Sequence, residues 1–96
     1  MKTLRTAAFQ AWFDGLRDQA TRSRIAGRIL RIEAGQMGDV KSVGGGVSEL
    51  RIHHGPGYRL YFTRRGAETI ILLAGGDKDS QARDIAQAKA LAARIP

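Results

Sequence analysis

The stretch Thr69-Ile70-Ile71-Leu72-Leu73-Ala74 constrains this chain more than any other. Bounded by Gly66 and by Gly75-Gly76 and rich in β-branched side chains, it is short for a helix and suited to a strand. Because it is apolar on both faces, it must be covered from both sides, and so is central or nearly central in a sheet.

The preceding residues supply its neighbours. Leu50 and Ile52 point one way while Glu49, Arg51 and His53 point the other. Beyond Gly55-Pro56-Gly57, Tyr58, Leu60 and Phe62 oppose Arg59, Tyr61 and Thr63. A period of two marks two half-buried strands joined by a tight turn. A second turn at Arg65-Gly66 then leads into the apolar strand.

Helical spacing flanks this core. Phe9, Trp12, Phe13 and Leu16 fall at i, i+3, i+4 and i+7 within Thr6 to Asp18, the spacing of one helical face. Thr21 or Ser23 can cap a second helix that buries Ile25, Ile29 and Ile32 and stops at Gly35. Gln81, Ile85, Ala88, Ala92 and Ile95 recur in a closing helix capped by Asp79 or Ser80. Between Gly35 and Val47 five glycines and no periodicity predict a flexible loop, and those glycines lack the order of a phosphate-binding P-loop. The expected order is ααβββα. This is an α+β fold with two N-terminal helices, a small antiparallel three-stranded sheet and a C-terminal helix, with residues 1–96 forming one domain.

Charge limits the partners. Sixteen Lys and Arg against nine Asp and Glu give a formal charge of +7, spread through the fold from Arg5 to Arg83. Such a field favours polyanions. The longest apolar run, Ile70 to Ala74, falls far short of the ~20 residues of a membrane span, so no membrane partner is expected. The absence of cysteine suits a reducing cytoplasm. On the second helix Arg24, Arg28 and Arg31 form a stripe whose only nearby acid is Glu33. The stripe reads either as a solvated outer face or as a polyanion contact, and the uncompensated repulsion within it favours the contact more than an ordinary charge stripe would.

On the hairpin, alternation gathers Arg51, His53, Arg59 and Tyr61 on one face. Directly paired side chains lie ~5 Å apart, and two arginines that close repel unless an anion lies between them. Glu49 can be that anion in a purely structural ion network. Alternatively, the guanidinium forks clamp a phosphate while Tyr61 stacks a base or passes a proton. Lys78 joins them if the Gly75-Gly76 corner turns it back over the sheet edge. RNA cleavage without a metal needs a base for the 2′-hydroxyl, cations for the phosphorane charge and an acid for the leaving oxygen, and these residue types meet all three needs. His53 is a candidate acid. Adjacent His53 and His54 diverge on a strand, so a structural zinc is rejected and no metal or cofactor is expected.

Four ordered runs carry a resemblance: Gly38-Asp39-Val40-Lys41-Ser42-Val43-Gly44, Gly46-Val47-Ser48-Glu49-Leu50-Arg51-Ile52, Gly55-Pro56-Gly57-Tyr58-Arg59-Leu60-Tyr61-Phe62, and Gly75-Gly76-Asp77-Lys78-Asp79-Ser80-Gln81. Together with Asp84-Ile85 and Ala88, the chain resembles the phage-derived addiction-module killer proteins, HigB-like toxins of the RelE/ParE superfamily, from about Phe9 to Ala92. The resemblance implies a microbial RNase-like fold. It also implies a toxin of a type II toxin–antitoxin module that cleaves mRNA on the ribosome, inhibits translation and is neutralised by a HigA-like helix-turn-helix antitoxin. Carried over, it assigns Arg51, Arg59 and Lys78 to phosphate binding and proton transfer, with Tyr61 following in the same strand. The chain departs from the RelE pattern in having no tyrosine after Tyr61.

The expectation is therefore a cytoplasmic, metal-independent endoribonuclease with Arg51, Arg59, Lys78, Tyr61 and His53 as catalytic residues. Arg24, Arg28, Arg31 and Lys41 would contact RNA or the ribosome, and no small-molecule substrate is expected. The alternative is a non-enzymatic binder, either a ParE-like gyrase inhibitor or an RNA- or ribosome-binding module.

Overall fold

Alternating and continuous apolar runs do build one sheet, but it has five strands, not three. A computed structural model describes residues 1–96 as β1 (Lys2–Arg5), α1 (Ala7–Asp14), α2 (Gln19–Glu33), β2 (Val40–Gly44), β3 (Val47–Ile52), β4 (Tyr58–Arg65), β5 (Thr69–Gly76), a 3-10 turn (Lys78–Ser80) and α3 (Gln81–Arg94). The strand order is β1-β5-β4-β3-β2; β1 runs parallel to β5 and the other pairs are antiparallel. The α+β class stands, whereas the three-stranded antiparallel sheet is corrected to a five-stranded mixed one.

Both overlooked strands are edges. Neither shows a period of its own, because an edge strand is held mainly by its neighbour's ladder and by local anchors. At β1 the Met1 ammonium donates to the Glu33 carbonyl at 2.6 Å and Thr3 Oγ1 to Glu33 Oε2 at 2.6 Å. β2 occupies part of the expected Gly35–Val47 loop. It turns into β3 through Gly44, Gly45 and Gly46, all at positive φ, where only glycine is unstrained.

Helices cover both faces of the sheet. Phe9 of α1 and Ile25, Ile29 and Ile32 of α2 pack on Leu50, Ile52, Leu60, Phe62, Ile70 and Leu72. Ala88 and Ala92 of α3 pack on Val47, Tyr61, Ile71, Leu73 and Ala74 on the reverse side. Each fully buried Leu, Ile or Phe contributes roughly 1.5–3 kcal/mol. The face expected to lie opposite the core is thus a second core along most of its length. β5 is buried from Ile70 to Gly76, as its doubly apolar run required.

The helix starts differ in detail from the expected caps. Thr6 caps α1, its Oγ1 accepting from Phe9 N at 3.0 Å. Asp18, rather than Thr21 or Ser23, caps α2 by accepting from Ala20 N, while Thr21 turns inward and donates to Asp18 at 2.7 Å. Ser80 stands at the N-cap of α3 without a side-chain cap bond. Asp77 caps the 3-10 turn before it, accepting from Asp79 N and Ser80 N.

Close packing also dictates the Gly75-Gly76 corner. A side-chain carbon on Gly75 would strike the Trp12 ring, and one on Gly76 would strike Asp84 and Ser80. Two helices therefore press on the end of β5 from opposite sides, and the chain leaves the sheet at a set angle into Lys78.

Candidate active site

Strand register places Arg51 directly opposite Arg59 and Glu49 directly opposite Tyr61, all on the α3 side of the hairpin. Glu49 is fully buried at the centre of this group. Its Oε1 accepts from Arg51 Nε at 3.0 Å and lies 3.6 Å from Arg59 Nε. Its Oε2 accepts from Gln81 Nε2 at 2.9 Å and from the Tyr61 hydroxyl at 3.2 Å. A lone buried carboxylate costs several kcal/mol, so four partners converging on one carboxylate offset a penalty that no single pair would. Burial pushes the Glu49 pKa up, but the Gln81, Arg51 and Tyr61 bonds and the Arg59 charge outweigh it and hold the group below its ordinary value. Burial first, and then the charge of the same carboxylate, push the Tyr61 phenol well above its usual range. Tyr61 is therefore a neutral donor at physiological pH.

Both arginines turn Nε toward Glu49. The Arg51 side chain is 35% exposed and that of Arg59 12%. Arg59 Nη1 donates to the Gly57 carbonyl at 3.2 Å, while its Nε, buried and 3.6 Å from Glu49 Oε1, makes no hydrogen bond. Lys78 begins near the same place: a side-chain carbon on Gly57, which sits at φ +82°, would lie 3.8 Å from Lys78 Cβ and 3.9 Å from Arg59 Nη1. Backbone pairing of Arg59 with Gly76 explains the approach, since Lys78 follows two residues later.

The remaining expected residues divide by location. Tyr61 lies within the cluster but is fully buried beneath α3, so its ring is closed to a nucleobase. β3 ends at Ile52, and His53 leaves the arginine face; its side chain is 78% exposed and its Nε2 is hydrogen-bonded to Asp39 Oδ2 at 2.8 Å. Arg24, Arg28 and Arg31 project from α2 into a cleft of about 230 Å³ shared with Gly38, Asp39, Arg51, Ile52 and His53. Lys41 is exposed on edge strand β2, opposite Glu49 in register, and lies outside that cleft. Arg51 alone belongs both to the Glu49 cluster and to the cleft.

Two partners in these clusters escaped sequence reasoning. The sequence marks Gln81 only as a residue of the closing helix and the end of the fourth run, because only the packing of α3 brings it to Glu49. Asp39, read as part of a loop, holds His53. No three His, Cys, Asp or Glu side chains converge as metal ligands, and no helix is long and apolar enough to cross a membrane.

A family model described as phage derived protein Gp49-like (DUF891) matches residues 11–94. The chain belongs to the Gp49-like family. This family is toxin-like and related to RelE/ParE. A Haemophilus influenzae protein described as uncharacterized is 43% identical over 90 residues, covering 94% of this chain and 91% of its own. The match to the Gp49-like family covers the end of α1 and all of α2, β2–β5 and α3, so it takes in the Glu49 cluster and the α2 cleft.

Proposed function

We propose that this Gp49-like protein is the toxin of a type II toxin–antitoxin module and acts as a HigB-like, ribosome-dependent mRNA endoribonuclease in the cytoplasm. The observation that carries this reading is the Arg51–Arg59 pair, held side by side by one buried carboxylate, with the base of the Lys78 side chain beside Gly57 next to Arg59. Preorganised cations aimed at one point stabilise charge that grows on a phosphorane, and they need no rearrangement as it grows. Kinship with a toxin-like family supports the same reading.

In this mechanism Arg51 and Arg59 grip the non-bridging oxygens of the scissile phosphate, and Lys78 stabilises charge or moves a proton at the sugar oxygens. Glu49, Gln81 and Tyr61 are positioning residues: they aim the guanidinium groups and do not touch substrate. His53 lines the α2 cleft with Arg51 and is hydrogen-bonded to Asp39, outside the Glu49 cluster. Lys41 and the α2 arginines contact RNA, and a HigA-like helix-turn-helix antitoxin neutralises the protein.

One observation favours a second reading, in which the protein binds without cleaving, as a ParE-like gyrase inhibitor or an RNA- or ribosome-binding module. Glu49 already serves as an internal counterion for both arginines, which a purely structural network also requires. Primer extension on message from cells expressing the chain separates the two. Discrete cleavage ends are expected with the native chain, and Arg51→Ala or Lys78→Ala should reduce their rate of appearance by ~10²–10³. Growth arrest without cleavage ends would overturn the nuclease reading.

A further inference from the structure

The arginine pair stands between two clefts of opposite charge. On one side the α2 cleft presents Arg24, Arg28, Arg31 and Arg51 against a single carboxylate, Asp39, which is already engaged by His53. On the other side, a larger cleft of about 960 Å³ between α1 and α3 is lined by Asp77, Asp79 and Asp84 with Arg83 as its one cation. A polyanion lying across Arg51 and Arg59 is drawn toward the first and repelled from the second.

The α2 cleft is also built to keep its cations in place. Arg28 lies so close over Gly38 that a side chain there would overlap its guanidinium, and its Nη2 donates to the Met37 carbonyl at 3.2 Å. Gly38 holds φ +75°, so both the backbone shape and the approach of Arg28 require glycine. Buried Ile25, Ile29 and Ile32 fix the rotation of α2, which turns its arginine stripe to the cleft. From Arg24 to Arg31 the stripe runs about 10 Å along the helix axis, longer than one phosphate group needs.

We propose that the α2 cleft seats the phosphodiester backbone of single-stranded RNA flanking the reacting linkage, with Arg51 shared between the flanking and the scissile phosphate. This rests on the nuclease reading of the Arg51–Arg59 pair and adds a direction to it: the strand leaves the reacting centre over α2 and not over the α1–α3 cleft. Within the seat Asp39 is the one repelling group, and His53 is its immediate neighbour.

Binding of a 2′-O-methyl oligoribonucleotide of eight nucleotides, which cannot be cleaved, tests the seat by fluorescence anisotropy across a salt series. Arg24→Gln with Arg31→Gln leaves the packed Arg28 in place. This double variant is expected to bind at least tenfold more weakly, with a log–log salt slope shallower by about 1.4, at about 0.7 for each lost single-strand phosphate contact. Asp39→Asn is expected to bind two- to fivefold more tightly. The control Arg83→Gln with Arg94→Gln removes the same charge from α3 and should leave binding within twofold.

Equal losses in the α2 and α3 variants would mean attraction by net charge alone and would overturn the seat. So would a native chain that binds an RNA hairpin through the α2 arginines but not the single strand, since that points to duplex ribosomal RNA. The seat fails on these binding outcomes whether or not message is cut. The nuclease reading itself is tested separately, by primer extension.

Discussion

Replacing Glu49 by glutamine keeps the shape of the side chain and removes the charge that holds two facing arginines together. In the native chain that carboxylate is fully buried, bonds Arg51 Nε at 3.0 Å and lies 3.6 Å from Arg59 Nε. Breaking a buried ion pair from one side costs roughly 3–5 kcal/mol; because Arg51 is about one-third exposed and water screens its share, about 2–3 kcal/mol is the appropriate scale here. For a chain of this length that lowers Tm by roughly 10–20 °C. The pH dependence has a definite sign. The folded-state pKa of Glu49 lies below its reference of 4.5, so its stabilisation is present above that value and is lost as pH falls through the lower folded one. Urea denaturation should therefore show the full deficit of Glu49→Gln at pH 7 and a shrinking deficit as the pH drops below 4.5. Added inorganic phosphate should restore part of the lost stability at pH 7, because an anion seated between the arginines takes over the role of the carboxylate. A variant within 0.5 kcal/mol of native at pH 7, or a deficit that does not change with pH, would refute the claim that this carboxylate organises the site. A pH-dependent deficit without rescue by phosphate would leave Glu49 as a structural counterion and remove the clamp.

Two further outcomes follow from the same geometry. Tyr61→Phe removes one of the three hydrogen-bond donors to Glu49 and should cost about 1–2 kcal/mol in denaturant unfolding, while cleavage in cells falls less than tenfold; a hundredfold loss of cleavage with unchanged stability would make Tyr61 a catalytic residue. Gly76→Ala forces a carbon against Asp84 and Ser80, and should destabilise the fold by about 1–3 kcal/mol and displace Lys78, read as a lower melting temperature and lost cleavage; a fully stable variant would mean the corner yields without strain.

Legibility followed the range of the forces involved. The run Thr69–Ala74 declares a doubly covered strand because every one of its side chains needs burial, whatever the cover. Alternation put Arg51, Arg59 and Tyr61 on one face because a pleat admits no other placement. The spacing of Phe9, Trp12, Phe13 and Leu16 and of Ile25, Ile29 and Ile32 likewise announced two helices with one buried side each. The four ordered runs pointed to the toxin-like kinship that the Gp49-like match supports. Edge strands β1 and β2 stayed hidden, since Lys2–Arg5 and Val40–Gly44 gain their shape from a neighbour's ladder.

By itself, then, the sequence determined the helical and strand segments with a strong apolar period, the placement of Arg51 and Arg59 on one strand face, and the excess positive charge. Tertiary structure decided that α3 covers the arginine face and buries Tyr61, that Gln81 completes the Glu49 cluster, and that His53 turns away beyond the end of β3 to Asp39. It also decided that the α2 stripe meets Arg51 just before the start of β2, which begins opposite Leu50. A residue's local period reports only which side of its own element it occupies. Contacts between elements depend on where each element ends and on what packs against it, and close packing of distant residues settles both.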